Sequence, residues 1–305
     1  MERKITALID GDWIMYAAGF AGQRTRCVYT DPALVDLDGA PMVFFGDTMT
    51  EIKKQLDEIE LLDEYSSSHL YKREELDPET HFYHSAKMMI ERNCEQIAEK
   101  FDGTVVPRVI IDGDGNFRSR LATIRPYKGT RNVHAKPMMY NKIRQYLLEV
   151  WGAEVVHDQE SDDEMAIIQT EYNNDGRRCI IVGVDKDMLQ VPGWHLNPNK
   201  GFKFIGPQEA EVRLYVQAAM GDSVDNIAGA YKVGPKAAKA AFTSKQSTEE
   251  KWEVLVSIYQ NSIDKYGNGH YGGLSAEEAA LENMRLVYLR RTEGELWEPP
   301  SSVTG

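Results

Sequence analysis

VVPRVIID, Val105 to Asp112, is a β-branched apolar run that closes on a carboxylate. Its apolar residues follow one another without polar alternation, the pattern of a strand covered on both faces, as in parallel sheets. Three other runs share this form: ITALID (Ile5 to Asp10), AEVVHD (Ala153 to Asp158) and CIIVGVD (Cys179 to Asp185). Helical patterns lie between them. HSAKMMIERNCEQIAEKF precedes the Val105 strand, PMMYNKIRQYLLEVWG precedes the third and DDEMAIIQTEYNN the fourth. This alternation predicts an α/β fold with a mainly parallel central sheet flanked by helices. In open α/β sheets ligands bind outside the carboxyl ends of the strands, which is where four terminal aspartates would gather.

Working outward, residues 1–205 read as the α/β core, and 206–305 as a smaller helical subdomain ending in SAEEAALENMRLVYLRR and a tail, EPPSSVTG. Residues 21–80 are less regular and read as a separate insertion. There VDLDGAPMVFF suggests a hairpin and MTEIKKQLDEIELLDEY a helix. The 305 residues are 42% hydrophobic, enough for a large core. No run of about eighteen apolar residues offers a membrane span. The start, MERKITALIDGDW, reaches charged residues too early for a secretory leader, so a cytoplasmic protein is expected. Cys27, Cys94 and Cys179 are widely spread, without a CxxC pair, and read as buried free thiols.

The net charge of −13 argues against a polyanionic partner, but its distribution argues the other way. From Gly115 to Leu148 there is no Asp or Glu, whereas Arg118, Arg120, Arg125, Lys128, Arg131, Lys136, Lys142 and Arg144 are basic. A second acid-free window, Asn226 to Thr248, carries Lys232, Lys236, Lys239 and Lys245. Two basic faces on an acidic protein fit a nucleic acid, provided the surplus acid is concentrated elsewhere.

That concentration is visible in the motifs. LIDGD and IIDGDG place Asp10 and Asp112 at strand ends as inward ligands, with Asp12 and Asp114 as turn residues. ESDDE offers Glu160, Asp162 and Asp163, although Ser161 with Glu164 also makes a capping box and acids favour a first helical turn. GVDKDML adds Asp185 and Asp187, and GDSVDN adds Asp222 and Asp225 one helical turn apart. Carboxylates gathered at one end of one sheet repel each other unless cations separate them. Oxygen-only donors suit hard metals such as Mg²⁺. Two such ions roughly 4 Å apart would activate a water for in-line phosphodiester displacement. Downstream, Gly229 and Gly234 bracket a turn before PKAAKAAF, whose start could receive a phosphate beside Lys236 and Lys239.

Taken in order, LIDGD, IIDGDGNFRSRLATIRPYKGTR, ESDDEMA, GVDKDMLQ and GDSVDNIAGAYKVGPKAA resemble the 5′-to-3′ exonuclease and flap endonuclease superfamily, most closely the stand-alone exonucleases of short-tailed phages. The resemblance implies a PIN-like 5′ nuclease core, a basic helical arch over 115–148 and a C-terminal helix-three-turn-helix (helix-hairpin-helix) DNA clamp. It assigns Asp10, Asp112, Glu160, Asp162 and Asp163 to a first metal group, and Asp185, Asp187, Asp222 and Asp225 to a second. Tyr127, Lys128 and Arg131 match the gateway over the active site, where the two cations stabilise the scissile phosphate. Arg118, Arg120, Arg125, Lys136, Gly229, Lys232, Gly234, Lys236 and Lys239 fall on the DNA-binding surface it implies. Mg²⁺ is the implied cofactor, with Mn²⁺ as substitute and K⁺ at the hairpin, where Lys232 stands in place of a family glycine. The expected partner is DNA with a 5′ end, duplex or flapped, or an RNA:DNA hybrid, acted on by a monomer. Two rival readings are a PIN-like ribonuclease and a non-catalytic binder of DNA junctions. The basic segment and hairpin count against the first, the intact acids against the second.

Overall fold

The computed structural model describes residues 4–130, 136–244 and 246–300. They form two compact units. One comprises Met1–Ile14, Met88–Ala135 and Gln145–Gly305, the other Met15–Lys87 and Lys136–Arg144.

The first unit holds a six-stranded sheet. β1 (Lys4–Asp10), β5 (Thr104–Asp112), β6 (Glu154–Val156), β7 (Arg178–Val182), β8 (Gly193–Asn197) and β9 (Gly201–Ile205) lie in the order β6-β5-β1-β7-β8-β9. All neighbours are parallel except β8 and β9, an antiparallel hairpin at one edge. The four strands expected from apolar runs are present and parallel. The β8–β9 hairpin was not foreseen. Ile5, Ala7, Leu8 and Ile9 in β1, and Val109 to Ile111 in β5, are buried, as strands covered on both faces require. α6 (Ser161–Asn174) packs against β1, β5 and β7. Chain order reverses about β1, since β5 and β6 lie on one side of it and β7 to β9 on the other. This places a ligand crevice at the carboxyl end of β1.

The helices after residue 205 belong to this same unit, so 205 is not a boundary of compactness. α7 (Pro207–Met220), α8 (Pro235–Ala241), α9 (Thr248–Tyr266) and α10 (Ala276–Val287) share one core around Leu214, Tyr215, Trp252, Leu255, Tyr259 and Met284. Ser247 with Glu250, and Ser275 with Glu278, form capping boxes that start α9 and α10. Residues 288–300 run without regular structure, with Trp297 packed against Trp252 and Tyr215.

The second unit accounts for most of the illegible stretch. β2 (Gln23–Val35), β3 (Pro41–Gly46) and β4 (Leu70–Leu76) form an antiparallel sheet in the order β3-β2-β4. β2 and β3 are the expected hairpin, and α2 (Met49–Glu58) is the expected helix, ending seven residues before Tyr65, the end of the stretch read as helical. Ile52 and Leu56 of α2 join Tyr29 and Leu34 in a small core. The proposed arch segment, 115–148, is divided between the units. It contains a one-turn helix, α4 (Arg118–Leu121), and the start of α5 (Tyr140–Trp151). Among the described residues no helix is long and apolar enough to cross a membrane, and all three cysteines are free thiols, of which only Cys179 is buried and Cys27 and Cys94 are half-buried.

Candidate active site

Asp10 ends β1 and Asp112 ends β5, while Glu160 and Asp162 follow β6 and Asp185 and Asp187 follow β7. The parallel sheet therefore brings them to one end. They line a cavity of about 170 Å³ together with Asp12, Arg118, Tyr127, Lys128, Ser161, Gln217 and Asp225. Of the nine acids expected as ligands, seven line it. Asp12, read from sequence as a turn residue, is an eighth cavity acid. It stands in the first turn of α1 (Gly11–Ala21), and its Oδ2 accepts from the Asp112 N–H at 2.8 Å. The signal for it was its position two residues beyond Asp10, at a helix start.

Burial and crowding show in the acidities. Desolvation, helped by Asp12, Asp112 and Asp185, pushes the Asp10 carboxyl up to about 7, against the opposing hydrogen bond from the Trp13 N–H. Asp187 is likewise pushed up to about 7 by burial and by Asp185. Burial and neighbouring acids raise Asp112 and, most strongly, Asp162, which faces Asp10 and Asp185. Such a cluster is costly as it stands, and bound cations would relieve it. Among the described residues no three His, Cys, Asp or Glu side chains are already grouped as a cage for an ion. The donor set instead fits hard ions that keep part of their water shell.

One wall is made by the basic segment. The Tyr127 hydroxyl donates toward Glu160 (3.0 Å) and Asp225 (3.1 Å), and burial among these acids raises its pKa, so the phenol stays a donor. Lys128 forms an ion pair with Glu160. Its backbone is left-handed (φ 55°), an uncommon conformation for a residue with a side chain. It is held by hydrogen bonds from Lys128 N–H to the Asp225 carbonyl (2.8 Å) and from Asn226 Nδ2 to the Pro126 carbonyl (2.9 Å). The YKG turn and the GDSVDN turn thus brace each other. Arg131 lies outside the described residues.

Asp163 corrects the expectation of a metal ligand. It is fully buried and receives two hydrogen bonds from Arg118, at 2.5 and 2.8 Å. It also accepts from the Glu160 N–H (3.2 Å) and the Arg290 N–H (3.1 Å). The capping box of α6 is accordingly Glu160 with Asp163, one residue earlier than the Ser161–Glu164 pair read from sequence. Arg118 corrects the expectation of a DNA contact. It is 1% exposed, and its remaining donors bond the carbonyls of Leu286 (2.9 Å) and Tyr288 (2.7 Å). The segment after α10 also meets the other acid group: Gln190, in the turn opened by Asp187, donates to the Val287 carbonyl (2.8 Å) and accepts from the Leu289 N–H (3.0 Å). Sequence reading missed this strap.

Asp222 lies just outside the cavity, in an adjoining groove of about 850 Å³ that it lines with Asp187, Lys186, Arg213, Pro235 and Lys239. Its Oδ1 accepts from the Val224 N–H (2.7 Å) and the Asp225 N–H (3.3 Å), shaping the turn. Gly229 is buried, so it is not a DNA contact. A Cβ there would stand 2.3 Å from the Met220 carbonyl, and its φ of 62° favours glycine. Lys232, Gly234, Lys236 and Lys239 are exposed along the hairpin and α8, as are Arg120 and Arg125. Lys232 occupies a left-handed position (φ 62°), which explains why a glycine suits that place in the resembling pattern. Lys136 is exposed in the second unit.

The fold and site together define an α/β protein with a carboxylate-lined crevice at the carboxyl ends of a mainly parallel sheet. No family model matches the sequence. The fold is that of the 5′-exonuclease of bacteriophage T5. The structure of that protein with divalent metal ions (zinc) bound aligns at a TM-score of 0.52 and 14% identity, covering 93% of this chain and 89% of the other. The T5 D15 protein co-crystallised with metal ions aligns at 0.51 and 13% identity, with the same coverage. At this identity the likeness establishes the fold and leaves the chemistry to the residues themselves.

Proposed function

We propose that this chain is a divalent-metal-dependent nuclease that hydrolyses phosphodiester bonds of DNA at or near 5′ ends, in duplex or flapped substrates, with Mg²⁺ as its metal. The observation that carries this reading is the cavity. Eight carboxylates line it, two of them pushed to about 7, beside one lysine, one arginine and one tyrosine and, among the described residues, no cysteine or histidine. A purely oxygen donor set favours Mg²⁺ and Mn²⁺ over softer metals.

Asp10, Asp112, Glu160 and Asp162 would hold one ion and Asp185, Asp187 and Asp225, with Asp222 behind them, a second. Bound there, the ions would supply an activated water and stabilise the attacking and leaving oxygens. Lys128 brings a fixed positive charge to the cavity wall, suited to a phosphate whose negative charge grows during reaction. Tyr127 orients Glu160 and Asp225 with one hydroxyl. The exposed lysines of the hairpin and α8 would hold the sugar-phosphate backbone without reading sequence. The bound metals in the T5 structures support the assignment of divalent ions.

The test is a duplex with a 5′ flap, labelled at either end and incubated with Mg²⁺ or with chelator. Products released from the 5′ side only with Mg²⁺ are expected. Cleavage that persists in chelator would remove the metal assignment. Cleavage of RNA but not DNA would favour a PIN-like ribonuclease, and binding without cleavage a junction binder.

A further inference from the structure

We infer that Tyr231, Tyr266 and His270, with Lys232 and Lys265, form a preformed ledge on which an unpaired or terminal nucleobase of the bound DNA stacks. This rests on the reading of the chain as a DNA nuclease and adds a subsite to it, with none of its residues among those that line the acidic cavity.

The rings are arranged before any ligand arrives. The imidazole of His270 lies 3.6 Å from the ring of Tyr231 at an interplanar angle of 15°, a face-to-face stack. Tyr266 meets Tyr231 edge-on, with centroids 5.4 Å apart. Lys232 Nζ sits 5.5 Å from the Tyr231 centroid and 5.1 Å from that of Tyr266, and Lys265 Nζ is 5.2 Å from the latter. Both lysines, Tyr266 and His270 are exposed.

Below the rings the ledge is rigid. The Tyr231 N–H donates to the hydroxyl of Tyr271 (2.7 Å), and Ser262 Oγ donates to the Tyr231 carbonyl (3.2 Å). Ser262 and Tyr271 are hydrogen-bonded at 2.9 Å and are 5% and 1% exposed, so the floor of the ledge is part of the helical core. Around the rings there is room: His270 is exposed, and Gly269, Gly272 and Gly273, chain neighbours apart, have no atom within 4 Å of where a Cβ would stand.

A stacked imidazole that stays in solvent adds little to the burial that folds the domain, so its placement asks for another partner. A nucleobase has the matching chemistry. It presents a flat π face to His270, and its linked phosphates meet Lys232 and Lys265. The hairpin side favours a polyanion, since residues 226–248 contain no acid and Lys232 and Lys265 stand beside the rings. Base stacking on such platforms is worth about 1–3 kcal/mol by truncation, or roughly five- to a hundredfold in affinity.

The test uses the full chain with chelator present, so that DNA is bound and not cut. The probe is a hairpin duplex with a short 5′ single-stranded extension carrying 2-aminopurine, read by fluorescence anisotropy and by quenching. His270→Ala and Tyr266→Ala, both at exposed positions, should each raise Kd about fivefold or more and remove part of the quenching, and His270→Trp should restore both. Far-ultraviolet circular dichroism checks that the variants are folded. Wild-type affinity and quenching retained in both alanine variants overturns the ledge alone. A wild-type protein that binds no DNA overturns the ledge and the nuclease reading together.

Discussion

Asp162 and Asp163 are adjacent acids in the first turn of one helix, and the fold treats them oppositely. Asp163 turns inward to Arg118, has every oxygen engaged and is fully buried. Asp162 turns to the cavity, where burial and the charges of Asp10 and Asp185 raise its pKa far above the usual carboxylate range. The first acid finds its cation within the protein, and the second does not. The same contrast separates the strap after α10, whose backbone groups are met by Arg118 and Gln190, from the cavity wall that faces it. An acid with an internal partner holds the scaffold, whereas acids crowded without one mark where an external cation belongs.

Asp163→Ala should expose this difference most strongly. It leaves the buried Arg118 guanidinium with Glu160, 3.6 Å away, as its remaining counter-charge and leaves the Glu160 N–H without its cap. Breaking a buried pair this way costs about 3–5 kcal/mol, read as a lower urea midpoint at unchanged m-value. Asp162→Asn should do the reverse to the metal-free protein, holding or raising its stability, because it removes a charge from a repulsive cluster. Its expected loss is catalytic, on the order of a hundredfold or more in single-turnover cleavage, with DNA affinity retained. Should the two variants exchange phenotypes, the assignment of the two aspartates is wrong.

The sequence carried one side of this comparison and not the other. Asp10, Asp112 and Asp185 were legible because each follows an apolar run, and a parallel sheet must deliver strand ends to one edge. β8 and β9 were not. GWHLN and GFKFI are five residues each, mix polar with apolar groups and flank an Asn-Pro-Asn-Lys turn, so they carry no strand pattern. Nor could spacing separate Asp162 from Asp163, since a first helical turn favours both. What separates them is Arg118, 45 residues upstream, and a strap more than 120 residues downstream, contacts that exist only once the chain has folded. Arg118 misled for the same reason. In a run of bases without acids it looked like a surface contact for DNA, and only the fold shows its partner.

A metal titration sharpens the cavity side. Mg²⁺ or Mn²⁺ should raise the melting temperature of the chelator-treated protein, with stabilisation of about 2.7 kcal/mol when free metal is a hundred times Kd. The gain should shrink sharply in Asp162→Asn and in Asp185→Asn. A wild-type protein whose melting temperature ignores both metals would contradict the cation-binding role of the cavity.

The smallest effect per unit is the pH dependence, and it changes sign with metal. In the metal-free protein Asp10 and Asp187 titrate near 7 when folded and near 3.9 when unfolded, so between these values the folded state binds two more protons and stability falls as pH rises. His195 acts the other way. Buried in β8 and bonded through Nε2 to the Val191 carbonyl (2.8 Å), it is depressed by burial to about 4. Its contribution is full above the unfolded value of about 6.5 and is lost as pH falls toward 4. Two carboxyls against one histidine leave a net difference of one proton, so metal-free stability should fall by about 1.4 kcal/mol per pH unit between roughly 4 and 6.5. The raised carboxyls of Asp112 and Asp162 steepen that fall. With metal bound the cavity acids are ionised when folded and their opposition vanishes, leaving His195 to make stability rise with pH over the same window. Urea unfolding at pH 4.5, 5.5 and 6.5, with Mg²⁺ and with chelator, reads the two slopes. Slopes of the same sign in both conditions would mean that the cavity acids do not titrate as a cluster awaiting cations.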